Sequence, residues 1–237
     1  MFIKIVAFTL SVEAEDEFLK KYNAEEFKRP SVAVDILVFT IKDDKLKLLL
    51  IKRGAHPFKG MFAIPGGFVG FDESLEHAAM RELFEETNVS GIHLEQFHTF
   101  GEPKRDPRTR VISVAFISLI NSEKIKLLSR ADAADAQWIN IDNLPKQIAF
   151  DHKMIIDKAL EYLRDKIERG SNIPFQLLPE HFTLTELQHT YEIILDKEMD
   201  KRNFRKKTMA LDILKSVSHI KTGKHRPAQM FRFKINS

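Results

Sequence analysis

The sequence predicts an α/β domain followed by a small α+β domain. Three observations indicate this fold class. Strand-like apolar runs lie before and after an amphipathic helix that begins near residue 75, a turn-rich stretch follows at residues 170–174, and two helices and a hairpin pattern come after it. The chain has 237 residues, of which 43% are hydrophobic, so it is long and apolar enough to form two domains.

The first predicted domain is rich in strand patterns. Residues 31–40 alternate and then become continuously apolar, Asp43 and Asp44 supply a turn, and residues 46–51 resume the apolar run. This pattern predicts a β-hairpin. Further elements predicted downstream are strands at residues 111–120 and 137–141 and a helix at residues 153–169.

The N-terminal residues 1–21 form a separate segment, which we interpret as a leader or an extra strand. Their apolar run is short and is followed by Glu13, Glu15, Asp16 and Glu17, which argues against a secretory signal. No apolar run reaches the length of a membrane span, so no membrane partner is expected. The chain contains no cysteine, which excludes disulfides and cysteine-metal sites and fits a cytoplasmic location.

One helix of the first domain carries a specific carboxylate pattern. Gly67 is followed after five residues by Glu73 and after seven more by a segment that contains three further glutamates. Glu82, Glu85 and Glu86 stand at i, i+3 and i+4, so their side chains share one helix face. Mg²⁺ prefers carboxylate oxygens, and substrate phosphates commonly complete its coordination. The alternative is an amphipathic surface helix stabilised by ordinary ion pairs between neighbouring turns.

The residues before this helix suit a loop beside a phosphate. Gly66 and Gly67 allow the backbone to turn tightly and to approach a ligand closely. Ser74 is predicted to cap the helix, with Asp72 and Glu73 near its positive end. The start of the helix is therefore well specified.

The spacing from residue 67 to residue 89 resembles the Nudix box of enzymes that cleave nucleoside diphosphates linked to another moiety. Nine positions of the box are specified, and only Asn88 departs, where the family usually has glycine. Asparagine tolerates the left-handed backbone almost as glycine does, so the helix can end there. The resemblance implies an α/β/α sandwich with a mixed sheet.

The same resemblance implies roles for individual residues. Glu82 and Glu86 would bind the principal metal ions, Glu85 would support another, the Gly66 carbonyl would add a backbone ligand, and Arg81 would hold a glutamate in place. The implied catalytic residues are therefore Arg81, Glu82, Glu85 and Glu86, and the implied cofactor is Mg²⁺, with Mn²⁺ as the alternative ion. A metal-activated water would attack a phosphorus atom of the diphosphate.

A basic segment follows the Nudix box. Arg105, Arg108 and Arg110 could clamp a diphosphate or a carboxylate together with Gly66 and Gly67, although an exposed basic loop is the alternative. In relatives the catalytic base can lie outside the box. Its candidates in this chain are Glu102 and Asp106, and the base stays unassigned. The sequence also contains Phe150, Asp151 and His152, which recur in related proteins. For Asp151 and His152 the alternative is a helix cap and its first turn.

The sequence of the second domain predicts a winged helix-turn-helix. Thr183 and Glu186 form a capping box, so one helix starts at Leu184, and Asp200 can cap a second helix. In the second helix Phe204 and Leu211 are expected to face inward. A strand at residues 216–220, a tip at 221–227 and a returning strand at 230–233 complete the pattern.

The positive charge of the chain is concentrated in this second domain. From Phe175 onward there are 12 Lys and Arg against 7 Asp and Glu, whereas the preceding residues carry an excess of acidic groups. Such asymmetry favours a nucleic-acid partner for one end of the chain. The alternative is an accessory domain whose lysines keep it soluble. The candidate DNA-binding residues are Lys201, Arg202, Asn203, Arg205, Lys206, Lys224 and Arg226.

Three segments resemble the C-terminal domain of the Nudix-related transcriptional regulators, namely residues 182–188, 200–206 and 226–228. The resemblance implies a homodimer that binds double-stranded operator DNA and senses ADP-ribose or a related nucleotide, with NAD metabolism as the regulated process. The domains implied are a Nudix domain at 22–169, a linker at 170–178 and a winged helix domain at 179–237. Many such regulators have lost glutamates from the box, whereas this chain keeps them, which favours retained Mg-dependent pyrophosphohydrolase activity.

Two other functions remain open at this point. One is an ADP-ribose pyrophosphatase whose winged helix does not bind DNA. The other is a regulator of pentose use with a sugar effector, which the three box glutamates disfavour because a sugar needs no metal-binding carboxylates.

Overall fold

The computed structural model describes residues 14–122, 127, 135–171, 173–221 and 228–234. Met1–Pro30 and Ser31–Ser237 form two compact units. In the first unit, a helix, α1, covers residues 14–21, which the sequence pattern did not predict. The strand expected near the N-terminus falls mostly on residues 1–13, outside the described residues. Tyr22 stacks against Phe27, with ring centroids 6.2 Å apart.

The second unit is built around a mixed sheet, as predicted. The hairpin of β1 (Ser31–Lys42) and β2 (Lys45–Lys52) is confirmed, and it turns at Asp43 and Asp44, whose φ angles are 56° and 53°. The other strands that the described residues place in this sheet are β3 (Phe62–Ala63), β4 (Gly66–Phe68), β5 (Glu95–Phe100), β6 (Val111–Leu119) and β7 (Gln137–Asn140). β1 pairs in parallel with β6 and antiparallel with β2 and β4, so it occupies the centre of the sheet.

Helices cover both faces of this sheet. Along β1, Val34, Ile36 and Val38 pack towards α2 (Leu75–Thr87), whereas Leu37 and Phe39 pack towards α3 (His152–Glu168). Successive side chains of a strand point to opposite faces, which explains this division. The predicted α/β/α sandwich is therefore confirmed.

The ends of α2 match the sequence prediction. The Ser74 hydroxyl accepts a hydrogen bond from the His77 amide at 3.2 Å. Asn88 closes the helix in the left-handed conformation, with φ 62°, and its amide donates to the Phe84 carbonyl at 2.8 Å. Asparagine therefore performs the C-terminal role that glycine usually takes.

The winged helix fold of the second domain is also confirmed. Its elements are β8 (Phe182–Thr183), α4 (Leu184–Leu195), α5 (Lys201–Ala210), β9 (Leu214–Lys221) and β10 (Ala228–Phe233), with β10 between β8 and β9. Thr183 and Glu186 form the complete capping box, and Asp200 accepts a hydrogen bond from the Asn203 amide at 2.8 Å. The tip of the wing, residues 222–227, lies outside the described residues.

One detail of α5 was predicted wrongly. Phe204 is buried, but Leu211 is 57% exposed. The helix ends at Ala210, so Leu211 is a C-cap residue and does not continue the buried stripe. Thr208, one turn after Phe204, is buried instead.

Of the helices that lie within the described ranges, none is both long enough and apolar enough to cross a membrane.

Candidate functional site

Arg81 organises the carboxylates of the Nudix box. Its guanidinium donates to both oxygens of Glu73, at 2.6 and 3.0 Å, and to Glu82 at 2.7 Å. It also contacts Glu85 at 3.3 Å and the Phe68 carbonyl at 3.2 Å. Hydrogen bonding to Arg81 lowers the pKa of Glu73 to about 2. Arg81 thus links the loop after β4 to the face of α2 that carries the glutamates, as its predicted holding role requires.

Glu86 is a partly buried carboxylate of the box. Its Oε2 accepts a hydrogen bond from the Gly66 amide at 2.9 Å. Burial raises the pKa of Glu86 to about 7, and the negative charges of Glu82 and Asp35 add to the increase. Oxygen donors whose mutual repulsion raises a pKa suit a hard divalent cation, which would relieve that repulsion.

The three glutamates do not converge equally on one point. Glu82 and Glu85 are drawn to Arg81, Glu86 faces Gly66, and the Glu85 side chain is largely exposed. Over the part of the chain that the structure describes, no group of three or more acidic or histidine side chains is close enough to hold a metal ion as it stands. Glu82 is much less exposed than Glu85, and its charge acts on Glu86, so Glu82 and Glu86 fit a shared cation better than Glu85 does.

The sequence suggested a loop at Gly66 and Gly67, but the two glycines belong to strand β4, which pairs with β1, and a Cβ atom at either position would meet a close contact. A Cβ atom at Gly66 would lie 2.1 Å from the Val34 carbonyl oxygen of β1. At Gly67, a Cβ would lie 2.3 Å from the Glu82 carboxylate. The first contact involves the backbone of a central strand, which cannot yield cheaply, whereas the second involves the end of a flexible side chain.

We therefore expect Gly66→Ala to destabilise the protein by about 2 kcal/mol, which corresponds to a fall in Tm of about 4–8 °C for a chain of this size. Gly67→Ala is the matched control and should change Tm less, because Glu82 can move aside. Differential scanning calorimetry measures both. Equal effects of the two substitutions would contradict this explanation of Gly66.

A cleft opens beside the two glycines of β4. It is lined by these glycines together with Asp35 of β1, Arg53 after β2 and Phe150 before α3. Other residues that line the cleft are Ile64, Phe68, Arg105, Asp106, Arg108 and His152. The cleft therefore combines the glycines of β4 with cationic and aromatic side chains. Asp35 and Arg53 were missed by sequence reasoning, and a lone charge within the apolar run of β1 was the available signal for Asp35.

The three arginines of the predicted clamp have different environments. The Arg105 side chain is 6% exposed and is paired with Asp151 and Asp35. Arg108 remains partly exposed in the cleft, where it pairs with Asp106 at 2.7 Å. Arg110 does not line the cleft and donates instead to the Gly101 carbonyl at 2.6 Å. Arg105 and Arg108 are thus brought together, and Arg110 lies apart.

The charges on Arg53 and Arg108 leave the cleft suited to an anion. Burial and the positive charge of Arg108 both lower the pKa of Arg53. The guanidinium carbons of Arg53 and Arg108 lie 4.8 and 5.7 Å from the centroid of the Phe150 ring. Arg108 also lies 5.2 Å from the ring of Phe68. A phosphate between the two arginines would offset their repulsion.

The two candidates for a catalytic base also differ. The ion pair with Arg108 lowers the pKa of Asp106, which is buried, so this carboxylate accepts a proton poorly. Glu102 is exposed and does not line the cleft. The geometry assigns the role of base to neither residue.

Asp151 and His152 lie at the start of α3, and His152 also lines the cleft. Asp151 occupies the N-cap position of α3, but its side chain makes no capping hydrogen bond. The buried His152 accepts a hydrogen bond from the Ile64 amide through Nδ1 at 2.9 Å, and burial lowers the pKa of the ring. His152 is therefore a neutral tether between α3 and the segment that leads into Gly66.

The predicted DNA-binding residues of α5 all lie on its exposed side. Phe204 and Thr208 point into the core of the winged helix domain. The exposed residues are Lys201, Arg202, Asn203, Arg205 and Lys206. Lys224 and Arg226, which were predicted for the tip of the wing, fall outside the described residues. α5 therefore presents a basic surface next to a well-anchored hydrophobic face.

Comparison with known proteins places both halves of the chain. The family model described as "NUDIX domain" matches residues 29–159, and the model described as "NrtR DNA-binding winged helix domain" matches residues 174–233. The chain is 33% identical over 233 residues to the "ADPR responsive transcriptional repressor NtrR" of Acinetobacter baylyi, and this alignment covers 97% of the chain and 92% of that protein. The chain belongs to the NrtR family of Nudix-related regulators.

Solved structures agree with membership in the NrtR family. The crystal structure of Shewanella oneidensis NrtR with a 27mer DNA has a TM-score of 0.73 and 34% identity, and it covers 86% of this chain and 93% of that one. The Nudix domain of the same NrtR with ADP ribose has a TM-score of 0.58 and 37% identity, covering 63% and 98%. The resemblance inferred from the sequence is confirmed.

The Nudix half also has an enzyme relative. It is 43% identical over 148 residues to the "ADP-ribose pyrophosphatase" of Methanocaldococcus jannaschii, covering 62% of this chain and 80% of that protein. The domain is thus of the Nudix hydrolase family.

Proposed function

We propose that this protein is an ADP-ribose-responsive transcriptional repressor. The observation that carries the proposal is the similarity to a repressor of that kind over nearly the whole chain. The same chain combines the cleft beside Gly66 with the basic face of α5. The Nudix cleft binds ADP-ribose, and this binding controls the affinity of the winged helix for operator DNA. The regulated process is NAD metabolism.

The cleft supplies the chemistry that a nucleoside diphosphate ligand needs. Arg53 and Arg108 both carry positive charge next to the Phe150 ring, and Arg108 keeps part of its side chain accessible. Charge-assisted hydrogen bonds from such groups recognise a diphosphate strongly. A pentose carries no charge and would make no use of the positive charge of these two guanidinium groups.

DNA recognition uses two copies of α5 in a homodimer. A recognition helix enters the major groove, and a dimer binds half-sites separated by about one helical turn. The alternative, a pyrophosphatase with an idle winged helix, would need no exposed row of basic residues on α5. The basic face therefore favours the regulator.

Hydrolysis of ADP-ribose is a second activity that the box supports. Mg²⁺, with Mn²⁺ as the alternative ion, would supply charge neutralisation and an activated water when bound. Glu82 and Glu86 would hold the ion, Arg81 fixes Glu82 in place, and the Gly66 amide orients Glu86. The products would be AMP and ribose 5-phosphate.

Ligand identity is tested by thermal stabilisation. At about one hundred times its Kd, ADP-ribose should stabilise the protein by about 2.7 kcal/mol and raise Tm by about 5–10 °C. Arabinose and xylose at the same concentration should leave Tm unchanged. Stabilisation by either pentose, with none by ADP-ribose, would overturn the proposed ligand in favour of a sugar effector.

A further inference from the structure

Resting on the proposed function, we propose that the ion pair between Arg105 and Asp151 is a latch that couples the cleft to the winged helix. In the free protein Arg105 holds the start of α3. An anionic ligand in the cleft competes with Asp151 for Arg105 and so removes one of two ties on the start of α3, the other being the hydrogen bond from the Ile64 amide to His152. The latch thus gives ADP-ribose a defined route for weakening operator binding.

The geometry of the pair suits a latch. Arg105 donates to both oxygens of Asp151, from Nε at 2.9 Å and from an Nη atom at 2.8 Å, and the same Nη atom lies 3.3 Å from Asp35. Planar bidentate pairing of this kind is strong and directional. The Ser113 hydroxyl donates to Asp35 at 2.5 Å, which keeps that carboxylate against β6. One guanidinium therefore joins the centre of the sheet to the N-terminus of α3.

Two alternative states follow from this arrangement. Arg105 lines the cleft, so a bound phosphate can replace a carboxylate as its partner. Asp151 makes no capping hydrogen bond, and its paired oxygens are both used by Arg105. A ligand shifts such an equilibrium only if it favours one state, and competition for a single guanidinium provides that difference.

α3 carries the change towards the DNA-binding domain. Its 17 residues span roughly 25 Å. At its far end Arg164 donates to the Ile194 carbonyl in the last turn of α4, at 3.1 Å, and Ile194 is buried in the same core cluster as Leu163. On α4, Tyr191 meets Phe204 of α5 edge to face, with ring centroids 5.4 Å apart. Packed contacts therefore run from the latch to the basic helix.

The test uses the full chain and an operator selected with the wild-type protein from a random DNA library. The operator has 27 base pairs, which matches the 27mer DNA of the related complex. In the wild type, ADP-ribose should weaken operator binding by a factor of about 10–100. Asp151→Asn should lower the affinity for the operator in the absence of ligand and should bind ADP-ribose about three- to tenfold more tightly. In this variant ADP-ribose should weaken operator binding by a factor below about three. Tighter ligand binding distinguishes a released latch from general damage, which would weaken it.

Two further variants complete the experiment. Arg164→Met keeps the aliphatic packing but removes the hydrogen bond to Ile194. ADP-ribose should therefore no longer weaken operator binding by this variant, while the affinity for ADP-ribose should stay within about twofold of the wild-type value. Asp165→Asn is the control, because Asp165 lies on the same helix in an exposed pair with Arg169.

The outcomes separate the latch from the function on which it rests. The latch is overturned if ADP-ribose weakens operator binding by Asp151→Asn as much as it does for the wild type, or if this variant binds ADP-ribose more weakly. Either result leaves the proposed repressor function intact. If Asp151→Asn does not fold, Arg164→Met is the deciding variant. The route through α3 is overturned if ADP-ribose weakens operator binding by Arg164→Met as much as it does for the wild type. If ADP-ribose does not affect the wild-type complex, the proposed function itself fails.

Discussion

Replacing Arg202 and Arg205 together with alanine is expected to weaken operator binding about 10³-fold at about 100 mM salt. Both side chains lie on the exposed side of α5, opposite the buried Phe204. A dimer would lose four phosphate contacts, so the slope of log affinity against log salt concentration should become shallower by about four. Fluorescence anisotropy at several salt concentrations measures both quantities.

Lys207→Ala provides the control for this prediction. Lys207 is basic and exposed on the same helix, but it lies outside the assigned DNA-binding set. Its replacement should cost less than about tenfold in affinity. Equal losses for the control and the double variant would show that α5 contributes only general positive charge and would contradict a recognition helix.

Replacing Glu86 with glutamine is expected to reduce turnover of ADP-ribose at least about 10³-fold in the presence of Mg²⁺. Glutamine keeps the size of the side chain and an oxygen that can accept from the Gly66 amide, but it removes the charge that would bind the ion. Release of AMP and ribose 5-phosphate is the measurement. Glu82→Gln should have a comparable effect.

The matched control for these substitutions is Glu76→Gln, an exposed glutamate in the first turn of the same helix. Its turnover should equal that of the wild type. Undiminished turnover in Glu86→Gln would contradict the metal role of this residue. Absence of turnover in the wild type, with ADP-ribose still bound, would show that the box serves only as a sensor.

Local features of the fold could be predicted because they depend on neighbouring residues. The cap at Ser74, the left-handed end at Asn88 and the capping box at Thr183 and Glu186 each follow from side chains within a few positions of the backbone that they satisfy. The glutamates of the box were found for the same reason, since helix spacing alone relates them.

The walls of the cleft could not be predicted in the same way. Arg105 and Asp151 are 46 positions apart, Arg105 and Asp35 are 70 apart, and Ile64 and His152 are 88 apart. Their contacts depend on how the central strand, the loop after β5 and the start of α3 meet in the folded domain. The role of Arg105 as a clamp for a diphosphate or a carboxylate stays a prediction, and its partners Asp151 and Asp35 appear only in the structure.

The error at Leu211 has a different origin. The inward periodicity of α5 is real at Phe204, but a helical pattern cannot show where the helix ends. The chain leaves the helix after Ala210, so Leu211 turns outward.

The most direct test of the account is a titration of ADP-ribose into the complex of the wild-type protein with its selected operator. Fluorescence anisotropy should show that saturating ADP-ribose weakens operator affinity by a factor of about 10–100. Adenosine, which lacks the diphosphate, should have no effect. A protein that selects no operator, or a complex that ADP-ribose leaves unchanged, would contradict the assignment as an ADP-ribose-responsive repressor.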